Sequence, residues 1–386
     1  MILYCNFSLA FLMGFCQKNV SNIHTNSYPV LPDKKAFLEN INGEKTQLIY
    51  LKNKNNIQAA ITNYGARLVS LLVPDKKGKL VSVVVGFDSI TNYVNAHSPY
   101  YGATIGRYAN RIAEGKLKMD DKIYPLTINN NGHTNHGGKN GFNNKIWKVV
   151  RVTNNTVELS YLSKDLEEGF PGNLSVKVIY QLTDENELKI KYQASTDKKT
   201  VINLTNHSFF NLSGEGTSTI IDHILKLNAG SFTPINEKQL PTGEIKLVNN
   251  SPFDFRNEKE IGKSINAEDV QLKYGSGYDH NFILNKTSHK KLQFAASIFS
   301  PASGIVLNVF TDQPGIQFFT ANAFKGLDTG RTGKPIVFRS AFCLETQHFP
   351  DAQNHSNFPS TILLPGQIFT TQTDYKFSVK TDNKTK

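Results

Sequence analysis

Short apolar runs of strand length, separated by turn residues, recur along the chain and limit what it can fold into. Runs at 58–65, 68–73 and 81–86 are followed by others of the same kind as far as 305–310. Such runs predict strands, and residues 74–78 form a predicted turn whose proline presets one φ and whose glycine permits a positive one. The pattern therefore predicts an all-β chain of packed sheets with few, short helices.

The N-terminal residues differ in composition from the rest of the chain. Residues 1–16 are apolar but too short to span a bilayer comfortably, so we expect no stable membrane span and predict an export segment over 1–20. No Lys or Arg precedes the run, and Phe15 before Cys16 is bulkier than a cleavage site usually takes. Two alternatives stay open: a periplasmic or secreted protein with an atypical signal, or a cytoplasmic one with Met1 misassigned as the start.

The remaining sequence is predicted to form one domain. Residues 21–34 are expected to be a flexible lead-in, and residues 35–386 contain no internal repeat, low-complexity tract or long linker that would divide them. Cys343 is the one cysteine of this region, so no internal disulfide is expected.

The chain carries a basic excess of 43 − 32 = 11 charges, which could indicate nucleic acid, an anionic surface or only a basic soluble protein. The lysines are dispersed in pairs such as Lys76 with Lys77 and Lys290 with Lys291, without a basic helix or a known nucleic-acid motif. Dispersed charge of this kind is typical of solvated loops, so we expect no nucleic-acid partner.

Two residues in strand-like surroundings are candidates for proton transfer. His207 lies in the run Asn-Leu-Thr-Asn-His at 203–207, and an imidazole gives or takes a proton near neutral pH without large tuning. Glu345 directly follows an apolar strand, where a carboxylate is costly unless it is paired, exposed or catalytic. The alternative for His207 is a hydrogen-bonded core histidine.

Other segments contain amides, charges and glycines that ordinary turns do not require. Asn110 and Arg111 offer a cluster of donors suited to hydroxyl-rich ligands, although Arg111 is also compatible with a surface ion pair. His136 precedes two glycines that let backbone approach a ligand. The alternative is a phosphate cradle, but the Walker spacing is absent. Asp279 is compatible with a turn cap, and Gln317 lies beside an aromatic pair of which one ring must be core by alternation.

Taken together, these segments resemble the aldose 1-epimerase (mutarotase) family over roughly residues 36–380. The motifs occur in family order, and it is their number rather than any single one that makes the resemblance specific. They are Gly-Arg-Tyr-Ala-Asn-Arg at 106–111, His-Gly-Gly at 136–138, Asn-Leu-Thr-Asn-His at 203–207, Tyr-Asp-His-Asn-Phe at 278–282, Gln-Pro-Gly-Ile-Gln at 313–317 and Leu-Glu-Thr-Gln at 344–347.

The resemblance implies a fold and an activity. The fold would be a large antiparallel β-sandwich, the galactose-mutarotase-like supersandwich, with one open sugar cleft. The activity would be that of an isomerase without cofactor or metal, interconverting the α and β anomers of free glucose or galactose by acid/base-catalysed ring opening and reclosure. Phe209 stands where many relatives have Tyr, and Asn135 where a Leu is usual, which leaves the preferred sugar open. The resemblance is compatible with either a monomer or a homodimer.

Residue roles follow from the same resemblance. It implies that Glu345 is the base, that His207 is the acid, and that His136 assists at the ring oxygen or a neighbouring hydroxyl. The expected hydroxyl holders are Asn110, Arg111, Asp279 and Gln317.

Three other interpretations compete with a free-sugar epimerase. A non-catalytic carbohydrate-binding module would need the hydroxyl holders but neither Glu345 nor His207. A zinc site from His136, His207 and His280 lacks any short ligand spacing. A hexose-6-phosphate epimerase would need a cationic clamp, for which the motif segments offer Arg107, Arg111 and Lys139.

Overall fold

The computed structural model describes residues 29–288 and 291–380. The predicted export segment lies outside these residues, as does most of the predicted lead-in. About 41% of the described residues are in strands and 9% in helices, so the all-β prediction is confirmed. The α-helices of the described residues are Ile90–Val94 and Val270–Gly275. Single 3₁₀ turns occur at Lys34–Phe37, Ala113–Gly115, Phe142–Asn144, Glu167–Gly169, Ile261–Lys263 and Ala352–Asn354.

A nine-stranded antiparallel sheet forms one layer of the molecule. Its inner strand Leu174–Leu182 alternates buried and more exposed side chains, as expected of a sheet with one face on the core. In spatial order, the strands are Lys148–Val152, Thr156–Ser163, Leu174–Leu182, Glu187–Thr196, Phe369–Val379, Ile305–Thr311, Gln293–Phe299, Ile224–Leu227 and Lys259–Glu260.

The second layer combines a four-stranded and a five-stranded sheet. Phe210 joins them through single bridges to Val84 and Phe342. The four-stranded sheet consists of Leu48–Lys52, Gln58–Thr62, Arg67–Pro74 and Leu80–Ser82. In spatial order, the five-stranded sheet consists of Lys246–Leu247, Ala229–Phe232, Asp279–Leu284, Gly315–Phe319 and Cys343–Gln347.

One buried apolar core contains side chains from all three sheets, for example Leu68, Val178 and Leu344. The Tyr375 hydroxyl of the large sheet donates to the carbonyl of Leu344 at 3.1 Å, which ties the layers together. Such burial of two facing sheets defines a β-sandwich, as the resemblance implied.

Short strand pairs bring distant segments to the outer face of the five-stranded sheet. Thr104–Ile105 pairs with Thr205–Asn206, and Arg111–Ile112 pairs with Thr134–Asn135. The other pairs are Asn40–Ile41 with Glu44–Lys45, Lys116–Met119 with Lys122–Pro125, and Thr200–Val201 with Ile362–Leu363. In the part of the chain described, none of the helices is long and apolar enough to cross a membrane.

Candidate active site

Strand alternation places three of the predicted residues on the outer face of the five-stranded sheet. Leu344 points into the core, so its neighbour Glu345 points to the opposite face. Glu345 is paired directly with Gln317 across the ladder. Asp279 lies on the next strand, on the same face, and its Oδ1 accepts a hydrogen bond from Gln317 Nε2 at 2.7 Å. These side chains therefore form one polar row.

His207 reaches the same face from the segment that follows Thr205–Asn206. Its backbone is fixed by two hydrogen bonds, from His207 N to the Ala103 carbonyl at 2.9 Å and from Gly102 N to the His207 carbonyl at 3.0 Å. Its Nε2 lies 3.5 Å from Glu345 Oε1, and both side chains are at least 95% buried. The predicted acid and base are therefore neighbours.

Aromatic rings surround the His207 imidazole. Tyr100 is stacked on it at 5.7 Å between ring centroids and also lies 4.6 Å from the ring of His136. Phe209 is 4.8 Å and Phe319 6.4 Å away. Sequence reasoning did not identify Tyr100 as a site residue, because nothing in its local pattern distinguishes it from the chain's other tyrosines.

The His-Gly-Gly segment presents the imidazole of His136 to the site in one protonation form. His136 itself has φ +52°, and Gly137, at φ +85°, lies so close to Gly106 that a Cβ there would be 1.9 Å from its carbonyl oxygen. The backbone N–H of Asn110 donates to His136 Nδ1 at 3.2 Å. Since Nδ1 accepts, the ring proton lies on Nε2, and His136 is a neutral hydrogen-bond donor.

Asn110 and Arg111 reach the site from the end of the Gly-Arg-Tyr-Ala-Asn-Arg motif. Asn110 Oδ1 accepts from the Arg111 backbone N–H at 2.9 Å, and Arg111 Nη2 donates to Gln239 Oε1 at 2.6 Å. The reading of Arg111 as a surface ion pair is wrong, because only 8% of the residue is exposed. Its charge faces Asp279 and Glu345.

Arg107 does not join Arg111, although both belong to one motif. Its Nη1 donates to the carbonyls of Pro171 at 2.7 Å and Gly172 at 2.9 Å, and its Nη2 to the Ser163 hydroxyl at 2.6 Å. The two arginines would share a face only in a regular strand, whereas this segment is irregular between Thr104–Ile105 and Arg111–Ile112. The joint cationic clamp that the phosphate reading required is therefore not formed.

The three histidines considered as zinc ligands do not assemble. His280 points to the core face, with its ring 4.6 Å from that of Phe253. His136, His207 and Glu345 do offer one ligand atom each within 4.8 Å of one another. A metal ligand nitrogen must be deprotonated, however, and His136 has one nitrogen accepting from Asn110 and the other protonated. This hydrogen bond opposes metal coordination.

Burial shifts the pKa values of Glu345 and His207 in opposite directions. Burial raises the pKa of Glu345 well above its usual range. The charge of Asp279 raises this pKa further, whereas the charge of Arg111 lowers it. Burial also lowers the pKa of His207 to about 4. Both shifts favour the neutral forms of the two groups, a protonated carboxyl and an unprotonated imidazole, and the 3.5 Å gap allows the Glu345 proton to move to His207.

An open cleft of about 620 Å³ contains these groups. That size accommodates a small polar ligand such as a monosaccharide. Gln317 does not line this cleft and lies behind Asp279, whose carboxylate it holds. Six predicted site residues do line it: Asn110, Arg111, His136, His207, Asp279 and Glu345.

Comparison with known proteins gives one consistent result. Residues 47–376 match the family model described as aldose 1-epimerase. The chain is 42% identical to galactose mutarotase of Bos taurus, over 87% of this chain and 94% of that protein. It is 34% identical to aldose 1-epimerase of Escherichia coli strain K12, over 87% and 96% of the two chains.

A solved structure gives the same answer for the fold. The GalM/aldose epimerase homologue from C. elegans superposes with a TM-score of 0.80 at 31% sequence identity, covering 86% of this chain and 99% of that one. The match therefore extends over the sandwich and the segments that form the cleft. The chain belongs to the aldose 1-epimerase family.

Proposed function

We propose that this protein interconverts the α and β anomers of free aldohexoses such as galactose and glucose. One observation carries the proposal: Glu345 Oε1 and His207 Nε2, two proton carriers, lie 3.5 Å apart in a cleft of monosaccharide size. The printed names of the relatives, galactose mutarotase and aldose 1-epimerase, support the same reaction. A purely binding module would have no need of such a pair.

The proposed reaction moves one proton in each direction. In the reactive form, Glu345 is a carboxylate and His207 an imidazolium. Glu345 removes the proton of the C1 hydroxyl while His207 protonates the ring oxygen, so the C1–O bond to the ring breaks and an open-chain aldehyde forms. Rotation about C1–C2 presents the other face of the carbonyl. Reclosure reverses both transfers and restores the pair.

The remaining cleft residues bind and orient the sugar. The Nε2–H of His136 donates to the ring oxygen or a neighbouring hydroxyl, because its Nδ1 is engaged by the Asn110 backbone. The carboxylate of Asp279 accepts from sugar hydroxyls, whereas Asn110 and Arg111 act chiefly as donors. Gln317 acts through Asp279, to which it donates at 2.7 Å. Holding the ring in one position converts proton transfer into an intramolecular step.

The Asp279→Asn variant is expected to move the acid limb of the pH profile for kcat to lower pH. This limb reports the gain of a second proton by the Glu345–His207 pair. The charge of Asp279 raises the pKa of Glu345, so removing that charge lowers this pKa and keeps the carboxylate available in more acidic solution. A pH series of mutarotation rates would measure the shift; movement of the limb to higher pH would contradict the assignment.

Free sugar should be preferred to its 6-phosphate. A dianionic phosphate needs charge-assisted partners, but Arg107 is committed to Pro171, Gly172 and Ser163, and Arg111 already faces Asp279. We expect at least a tenfold higher kcat/KM for galactose or glucose than for glucose 6-phosphate, equivalent to about 1.4 kcal/mol of transition-state binding.

Coupled assays on the three sugars would measure this ratio. A tenfold preference for the phosphate ester would move the assignment to the hexose-phosphate epimerases. In that case Lys139, an exposed lysine that lines the cleft, and Arg111 would be the first residues to mutate.

A further inference from the structure

The thiol of Cys343 contacts the proposed acid from the side opposite the base. Its Sγ lies 3.5 Å from His207 Nδ1, while His207 Nε2 faces Glu345 Oε1 at the same distance. Cys343 and Glu345 are two residues apart in the strand Cys343–Gln347, so alternation puts both on the cleft face. The imidazole is thus held between a thiol and a carboxyl group of one strand.

The direction of the Glu345 contact determines what Cys343 must do. When the shared proton is on Glu345, its carboxyl donates to Nε2, and the ring proton of neutral His207 has to be on Nδ1. When the proton has moved to His207, the imidazolium carries protons on both nitrogens. In both states Nδ1–H needs an acceptor in a buried environment, and the Cys343 sulfur lies at that position.

We propose that Cys343 is a positioning residue for the anomer interconversion, accepting a hydrogen bond from His207 Nδ1–H so that the transferable proton stays on the Glu345 side of the ring. This inference rests on the proposed function. Sulfur is a weak acceptor, so it orients the ring without strongly stabilising the imidazolium. His207 consequently remains a strong enough acid to protonate a sugar ring oxygen.

The thiol is suited to this role because it stays neutral. Burial raises the pKa of Cys343 well above its usual range, and the charges of Glu345 and Asp279 add to the effect. A neutral S–H does not compete with Glu345 for the proton. Tyr100, stacked on the same imidazole, limits rotation of the ring out of this line.

The test compares Cys343→Ala, Cys343→Ser and Thr346→Ala. Loss of the acceptor in Cys343→Ala should lower kcat about tenfold with little change in KM, and move the alkaline limb of the pH profile to lower pH. The limb moves down because the imidazolium loses stabilisation and gives up its proton more readily. Cys343→Ser should restore most of the activity, since a hydroxyl also accepts.

Thr346→Ala is the matched control, because it removes a buried hydroxyl that contacts Thr373 on the core face of the same strand. It should lower stability without moving the pH limb. If Cys343→Ala behaves like this control, with kcat and the limb unchanged, Cys343 is only a packing residue and the proposal is overturned.

A measurement on the free enzyme separates this inference from the proposed function. Long-range ¹H–¹⁵N NMR would identify the tautomer of His207, whose signals can be assigned by comparison with His207→Asn. We expect the Nδ1–H form in the wild type and a loss of that preference in Cys343→Ala. The Nε2–H form in the wild type would overturn the proposal even if Cys343→Ala does not fold. If the wild type shows the Nδ1–H form but does not catalyse mutarotation, the proposed function is rejected and the contact between Cys343 and His207 still stands.

Discussion

Replacement of Glu345 by glutamine is expected to lower kcat for anomer interconversion by about 10²–10⁴-fold, the range typical of a lost general base. The amide keeps the size and hydrogen-bonding reach of the side chain but cannot take the C1 hydroxyl proton. The variant also ends the proton sharing between Glu345 and His207 across 3.5 Å. Polarimetry on freshly dissolved α-galactose or α-glucose would measure the loss.

Glu215→Gln provides a matched control for this variant. Glu215 is also buried, but its Oε1 accepts from the backbone N–H groups of Gly86 and Arg331, and it does not line the cleft. Its replacement should affect stability and leave the kcat of the folded protein near that of the wild type. A Glu345→Gln enzyme with near-normal kcat would remove Glu345 from the role of base.

The His207→Asn variant is expected to lose about 10²–10⁴-fold in kcat, with a smaller change in KM. Asparagine can still hydrogen-bond a hydroxyl but cannot deliver a proton to the ring oxygen in the transition state. Burial lowers the pKa of His207 to about 4, which makes its imidazolium a strong acid once the proton has moved from Glu345. Steady-state kinetics over a range of sugar concentrations would separate kcat from KM.

His223→Asn is the corresponding control, since His223 is fully buried and accepts from the Leu212 backbone at 3.1 Å, away from the cleft. It should reduce stability rather than kcat. An effect of His207→Asn that is confined to KM would reduce His207 to a binding residue.

Local patterns predicted the all-β fold class, because strand alternation is a local property, whereas the family resemblance singled out the residues of the polar row. The apolar run before Glu345 sets which residues of that strand face the core, and the same rule buries Phe318 in the core while Phe319 lines the cleft. The costly position of Glu345 after an apolar strand was itself the signal for a functional carboxylate.

Contacts between distant segments could not be predicted in this way. Arg107 and Arg111 look equivalent in the sequence. Because the backbone between them is irregular, however, the Arg107 guanidinium donates to the Pro171 carbonyl, whereas Arg111 lines the cleft. Nothing in the sequence around Cys343 indicates that a segment 136 positions away brings His207 against its thiol. Such pairings depend on how the strand pairs are arranged in space, which local composition does not encode.

In the proposed function, the wild-type protein accelerates anomer exchange of a free hexose by acid/base chemistry in this cleft. Magnetisation-transfer NMR at anomeric equilibrium tests it most directly, because it follows exchange between α- and β-galactose without a coupling enzyme. We predict an exchange rate that rises in proportion to wild-type protein and does not rise with equal amounts of Glu345→Gln. Exchange that is no faster with folded wild-type protein than in buffer, for both galactose and glucose, would contradict the proposed function.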